Sequence, residues 1–177
     1  MVERTPAWSE VEEFLEKVRS LFRKKEISLR DFLILSMYPT SGLKTSELLK
    51  LRKRDLDLQN GVISINRNGT AMQVVVMPWL LPHLKDYVKG KGDDEKVFRI
   101  SRRQALNINY CYTEQILGSK LRIEDWRKAY SLRIVETIKD PSLCKKILGL
   151  KTQKTISAYV KAISRDAKDE IIKAIGG

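Results

Sequence analysis

The sequence predicts an α+β domain that is mostly helical and has one small antiparallel sheet of three strands. Apolar residues recur every three or four positions over most of the chain, as in one-sided helices. Strand-like patterning is confined to residues 56–77, where Asn60-Gly61 and Asn68-Gly69 give two turn signals. The 177 residues fit one domain, and the 42% of them that are apolar can bury a sizeable core. We therefore expect a single domain over residues 1–177.

The helices are predicted from their starts, their ends and their apolar spacing. Pro6 is a good first-turn residue for the first helix, and Ser28 is a good cap for the second. Pro39 and Gly42 are expected to end the second helix, and a short third helix carries Leu48. Further helices are predicted over residues 80–88, 101–117, 123–138, 141–148, 152–163 and 167–175.

The strands are predicted over residues 56–58, 62–65 and 74–77. Two-residue Asn-Gly turns favour tight hairpins, so the three strands should form an antiparallel meander. We expect Val62, Ile65, Val74 and Val76 to belong to this sheet.

The net charge indicates an acidic partner. The chain has 34 Lys and Arg residues against 22 Asp and Glu residues, which gives a net charge of +12. An excess this large favours a nucleic acid or an anionic membrane surface. The basic residues are spread along the chain instead of lying on one amphipathic helix, which favours a folded nucleic-acid-binding face.

Other classes of protein are disfavoured. No apolar stretch is long enough to span a bilayer, and the first residues lack the features of a secretion signal, so we expect a cytoplasmic protein without a membrane partner. Cys111 and Cys144 have no metal-binding spacing and are expected to be small core residues. Neither a metal site nor a cofactor is predicted.

Four segments resemble the catalytic domain of a tyrosine recombinase (phage integrase). Residues 40–51, followed by 55–58 and the predicted meander, are similar to the start of that domain. Residues 124–128 fall where the family has its His-x-x-Arg box, and residues 148–150 where it has Leu-Gly-His. Tyr159 follows at the family's spacing to its nucleophilic tyrosine. Together these segments are spread over residues 40–159, which is most of the chain.

The resemblance implies strand breakage and rejoining. A tyrosine hydroxyl attacks a DNA phosphodiester, leaving a 3′-phosphotyrosine and a free 5′-hydroxyl that can attack back. By position, Tyr159 is the expected nucleophile and Arg127 the expected phosphate clamp. Lys44 stands at the first arginine position, and Lys151 is a candidate cation beside the phosphate. For Tyr159 the alternative is a half-buried helix anchor, and for Arg127 and Lys44 it is an exposed cation.

The sequence departs from the family's pattern at several positions. The ammonium group of Lys44 cannot bind two phosphate oxygens in a bidentate manner, as the guanidinium of an arginine can. Asn68 stands where the family keeps a hairpin lysine, with Arg67 next to it as a replacement cation. Glu124 replaces the box histidine and is expected to pair with Arg127 or Lys128, and Leu150 replaces the second histidine. Two functions therefore stay open. The chain is either a strand transferase with a reduced set of catalytic residues, or a non-catalytic DNA-binding relative of the family that acts as a regulator or architectural partner.

Double-stranded DNA is the expected partner, and an RNA-binding function is disfavoured because the aromatic-studded sheet motif of single-stranded RNA readers is missing. The family's preceding core-binding domain is not expected here, so a homo-oligomer or a partner recombinase could complete the grip on DNA. The last helix could pack on its own domain or on a partner. The basic residues expected to contact DNA are Arg52, Lys53, Arg54, Arg67, Arg102, Arg103, Lys128, Lys145, Lys146 and Lys154.

Overall fold

The computed structural model describes residues 4–149 and 165–176. Within these ranges the helices are α1 (Trp8–Arg23), α2 (Leu29–Ser41), α3 (Thr45–Lys50), α4 (Leu81–Val88), α5 (Arg102–Leu117), α6 (Ile123–Thr137), α7 (Pro141–Leu148) and α8 (Arg165–Ile175). The strands are β1 (Leu56–Asp57), β2 (Val62–Arg67) and β3 (Thr70–Val75). The predicted helix over 152–163 lies outside the described residues. No helix in the described ranges is long and apolar enough to cross a membrane.

The sheet is an antiparallel meander in the order β1-β2-β3. Ile63 of β2 is opposite Leu56 of β1 and Val74 of β3. Asn68 and Gly69 form the β2–β3 turn with φ of 54° and 81°, the positive values that a tight hairpin turn requires. Val76 lies one residue beyond β3, and its N–H donates to the Gly61 carbonyl at 2.9 Å. The predicted fold class is confirmed.

Helix α2 forms the centre of the core. Its residues from Phe32 to Ser41 are all buried, and α1, α4, α5 and α6 pack around it. A helix that is buried on every side cannot show the one-sided pattern of a surface helix. Trp126 of α6 is completely buried, with its ring centroid 4.8 Å from that of Phe14.

Helix α2 continues through Pro39, which the sequence analysis had expected to help end it. Proline removes the N–H that would donate to the Leu35 carbonyl, and the hydroxyls that follow it bond other carbonyls of the same turn. Thr40 Oγ1 donates to the Ser36 carbonyl at 2.7 Å, and Ser41 Oγ donates to the Met37 carbonyl at 2.5 Å. As predicted, the helix ends at Gly42, whose φ of +63° suits glycine.

Helix α8 packs on α6 and β3 of its own chain. Ile171, Ala174 and Ile175 are buried, and Arg133 Nε donates to the Ala174 carbonyl at 2.7 Å. The single chain thus adopts the first of the two predicted arrangements of this helix. Cys144 is buried as predicted, whereas Cys111 is exposed and is not a core residue.

Candidate functional site

Two arginines converge on the carbonyl of Gly42, at the end of α2. Arg127 Nε donates to this oxygen at 3.0 Å, and Arg67 Nη2 donates to it at 3.2 Å. Lys44 follows two residues later, at the start of α3. The structure therefore places Arg127 at the loop that carries Lys44, although 83 residues separate them in sequence.

Helix α6 holds Arg127 in place through its neighbours. Trp126 Nε1 donates to Asn109 Oδ1 at 2.8 Å, which fixes α6 against α5. Tyr130, one turn after Arg127, packs on Gly42 so closely that a Cβ there would lie 2.7 Å from the ring. Arg127 and Tyr130 therefore both contact Gly42, and the close approach of α6 to the loop depends on glycine at that position.

The guanidinium of Arg127 is half-buried, and no carboxylate of the described residues forms an ion pair with it. Burial lowers the pKa of Arg127, and the nearby charge of Arg67 lowers it further, while Glu47 and Glu124 oppose both effects. In the described part of the chain its hydrogen bond is made through Nε alone, so neither terminal nitrogen has a protein acceptor there. Those nitrogens can hold a bound anion such as a phosphate.

Lys44 is half-buried and caps α3 through its backbone. Its N–H donates to Glu47 Oε2 at 2.8 Å. Lys44 also lines a cavity of about 570 Å³ between α3 and the β2–β3 hairpin, together with Lys50, Asn66 and Asn68. Its ammonium group forms no ion pair with any described residue.

Glu47 and Arg67 form a buried ion pair that sequence reasoning missed. Arg67 Nε and Nη2 donate to the two Glu47 carboxylate oxygens at 2.7 and 2.8 Å. Burial alone would raise the pKa of Glu47, but the hydrogen bonds from Arg67 and Lys44 and the charges of Arg67 and Arg127 outweigh it and lower this pKa. Two sequence signals were available: Glu47 stands at the third position of α3, and the alternation along β2 puts Arg67 on the inner face with Ile65.

Arg67 was expected to contact DNA and to replace the hairpin lysine. The structure places its side chain at 8% exposure, and it makes four hydrogen bonds within the protein. Contact between Arg67 and DNA stays a prediction, but the structure shows this residue bound to Glu47, Gly42 and Leu148.

Glu124 does not form the ion pair that was expected of it. It is exposed in the first turn of α6, and no cation of the described residues lies within ion-pair distance of its carboxylate. A carboxylate in a first helical turn is stabilised by the helix dipole, so it needs no cationic partner. Its charge nevertheless acts on Arg127 and on the buried Tyr38 hydroxyl, where burial in the first place and Glu124 in addition raise the pKa to about 12.

The other predicted basic residues fall into three groups. Arg52, Lys53 and Arg54 bind residues 91–94: Arg52 donates to the Asp94 carbonyl, Lys53 Nζ donates to the Lys91 carbonyl at 2.5 Å, and Arg54 pairs with Asp94 at 2.5 Å. A second group is exposed on α5, α6 and α7: Arg102, Arg103, Lys128, Lys145 and Lys146. The third group, Lys151 and Lys154, lies outside the described residues. The proposed nucleophile Tyr159 also lies outside them.

Sequence comparison finds relatives among the recombinases, although no family model matches the chain. Tyrosine recombinase XerA of Saccharolobus solfataricus is 26% identical over 148 residues, covering 82% of this chain and 50% of that protein. Tyrosine recombinase XerA of Pyrococcus furiosus is 22% identical over 184 residues, covering 98% of this chain and 64% of that protein. The chain thus spans about half to two thirds of the length of these curated relatives.

Solved structures show the same fold. The integrase from mycobacterium phage Brujita matches 99% of this chain and 58% of its own, with a TM-score of 0.73 and 11% identity. The XerH site-specific recombinase, solved bound to its difH substrate as a pre-cleavage complex, matches 90% of this chain and 50% of its own, with a TM-score of 0.68 and 18% identity. This chain is accordingly a sequence relative of the tyrosine recombinases, and its fold is that of their catalytic domain.

Proposed function

We propose that the chain binds the sugar-phosphate backbone of duplex DNA and breaks and rejoins one strand through Tyr159. The backbone would bind at the Gly42 site, which is the Gly42 carbonyl with Arg67, Arg127 and the loop of Lys44. The observation that carries the proposal is the position of Arg127. Its Nε is held by the Gly42 carbonyl, next to the loop of Lys44, and its terminal nitrogens have no acceptor among the described residues. A guanidinium held in this way is ready to bind a phosphate oxygen without further ordering.

In the proposed reaction the Tyr159 hydroxyl loses its proton to water as its oxygen attacks the phosphorus of one phosphodiester. The bond from phosphorus to the 5′-oxygen breaks, a 3′-phosphotyrosine forms, and the departing 5′-oxygen takes up a proton. Arg127 would stabilise the charge on the non-bridging oxygens. Lys44, or Lys151 after α7, would act as the cation or proton donor near the leaving oxygen. One phosphoester bond replaces another of similar energy, so the same groups can catalyse the reverse reaction.

Charge and homology support DNA as the partner. The net charge of +12 favours a polyanion, and the XerH neighbour was solved bound to its difH substrate. The exposed residues on α5, α6 and α7, with Arg102 and Lys145 among them, can supply further backbone contacts.

One observation favours the second candidate function, a DNA-binding protein without strand transfer. Glu124 places an exposed carboxylate near Arg127, at a position where the family has a histidine. An anion there repels a phosphate and donates no proton, and the apolar Leu150 cannot donate one either. DNA binding would survive both changes, whereas catalysis would be slowed by them.

Incubation of the protein with nicked suicide duplexes of varied sequence, followed by a denaturing gel, separates the two candidates. A nicked substrate loses the short strand that carries the 5′-hydroxyl, so a covalent intermediate cannot be reversed and accumulates. We expect an adduct in the native protein and none in Tyr159→Phe, with unchanged DNA affinity. If the native protein binds these duplexes but forms no adduct, the binding-only function replaces strand transfer.

A further inference from the structure

The buried guanidinium of Arg67 connects three parts of the molecule that are distant in sequence. It binds both carboxylate oxygens of Glu47 in α3 and the Gly42 carbonyl at the end of α2. Its third partner is the carbonyl of Leu148, the last residue of α7, which accepts from Arg67 Nη1 at 3.2 Å. One side chain therefore joins the Gly42 site to the end of the helix that precedes the Tyr159 segment.

The end of α7 lies directly against the hairpin that carries Arg67. Gly149 has a φ of +64°, and a Cβ there would meet Met72 Sδ at 2.8 Å and Arg67 Cδ at 3.4 Å. A glycine that accepts a left-handed conformation thus permits the contact between α7 and β3. Because Leu148 and Gly149 are fixed in this way, the chain leaves α7 from a defined position relative to Gly42.

Arg67 can perform this function only because it is an arginine. Its planar group presents donors in several fixed directions, so it can bind a carboxylate with one edge and two carbonyls with the rest. A lysine would keep the charge beside Glu47 but would present one compact ammonium group to all three partners. The burial of the pair, at 8% and 7% side-chain exposure, shields these bonds from competition with water.

We infer that Arg67 is a positioning residue that holds the end of α7 against the Gly42 site, and that strand transfer through Tyr159 depends on this contact. The expected effect of Arg67 on strand transfer rests on the proposed function. That Arg67 holds the end of α7 does not depend on that function. The Gly42 and Glu47 groups that bind Arg67 also contact Arg127 and the Lys44 backbone, so Arg67 is linked to both candidate phosphate cations.

Arg67→Lys tests the inference, and Arg4→Lys is the matched control. Arg4 also bridges two separate partners, Glu10 and Ser119, so the control makes the same chemical change at another bridging guanidinium. Hydrogen exchange measured by mass spectrometry is the main readout. In Arg67→Lys we expect the amides of residues 144–149 to exchange about tenfold faster or more, with the α2 amides unchanged. Arg4→Lys should leave both regions unchanged.

A second variant covers the case in which Arg67→Lys does not fold. Glu47→Gln combined with Arg67→Met removes both charges, so no lone ion is left buried, and it should show the same local increase at residues 144–149. Unchanged exchange at 144–149, or an equal increase throughout the protein, would overturn the inference.

The effect on chemistry is measured with the nicked duplexes. If the native protein forms an adduct, Arg67→Lys should form it at least about tenfold more slowly, while its DNA affinity changes less than about twofold. An unchanged rate would contradict the proposed link to Tyr159. If the native protein forms no adduct, strand transfer fails as a function, and hydrogen exchange alone decides whether Arg67 positions α7.

Discussion

At the scale of single residues, the site is organised around a main-chain oxygen. The Gly42 carbonyl accepts from Arg67 and from Arg127, which fixes two cations close together beside the Glu47 carboxylate that binds Arg67. The charge of Arg67 adds to burial in lowering the pKa of Arg127, and Glu47 and Glu124 oppose this effect, so a phosphate oxygen bound to Arg127 would stabilise its charged form. The site is thus arranged to favour an anion.

Part of this arrangement was predictable from the sequence. Arg127 and Lys44 were chosen by their positions in family motifs, and the structure brings Arg127 to the loop of Lys44. The roles of the Gly42 carbonyl and of Glu47 could not be predicted in the same way, because they depend on which groups become neighbours in the folded chain. The expected partner of Glu124 was wrong for a related reason, since a helix N-terminus can stabilise a carboxylate without a cation.

Replacing Glu124 with Gln should strengthen binding of duplex DNA. The exposed carboxylate acts on Arg127 and would repel a phosphate bound there. Surface charge pairs contribute up to about 1 kcal/mol, so we expect an increase in affinity of about two- to fivefold, greatest at low salt. Fluorescence anisotropy with a labelled duplex measures it. Glu12→Gln on α1 makes the same change in net charge and should have a smaller effect. Equal effects of the two variants would show that no phosphate binds near Glu124.

At the scale of elements, local sequence signals located most helices well. The Ser28 cap is formed, with its hydroxyl accepting from the Asp31 N–H at 3.1 Å, and α7 spans the predicted residues Pro141–Leu148. Gly42 ends α2 as predicted, whereas the expected part of Pro39 in ending the helix was wrong, because the proline lies within this buried helix. The contact of α6 with the loop after α2 is a tertiary feature, and the sequence pattern of neither element indicates it.

Gly42→Ala tests the contact between these two elements. The φ of +63° strains an alanine, and its Cβ would also lie 2.7 Å from the buried Tyr130 ring. Gly118→Ala is the control, since its φ of +68° is similar but nothing lies within 4 Å of the added carbon. We expect a loss of about 1 kcal/mol in unfolding free energy at Gly118 and about 2–4 kcal/mol at Gly42. Urea unfolding of both variants measures the difference, and equal losses would mean that Tyr130 moves aside freely.

At the scale of the whole molecule, the sequence predicted the fold class because its β pattern is confined to one short region. Turn signals, strand alternation and the helical spacing around that region all agreed, which is the situation in which sequence reasoning is most dependable. The arrangement of charge over the surface was less predictable. Arg54, Arg102 and Lys145 are all exposed, but Arg54 also pairs with Asp94, a contact that only the folded chain shows.

The binding of duplex DNA as a function of salt, in the native protein and in Arg127→Ala, tests the central claim most directly. Affinity should fall steeply from about 50 to about 200 mM salt, because each phosphate contact releases counterions. Loss of Arg127 should weaken binding and lower the salt slope by about one phosphate contact. Arg23→Ala on α1 removes the same charge from a residue that pairs with Glu16 and should change the slope less. Binding that is insensitive to salt, or equal slopes for the two variants, would contradict a phosphate site at Gly42.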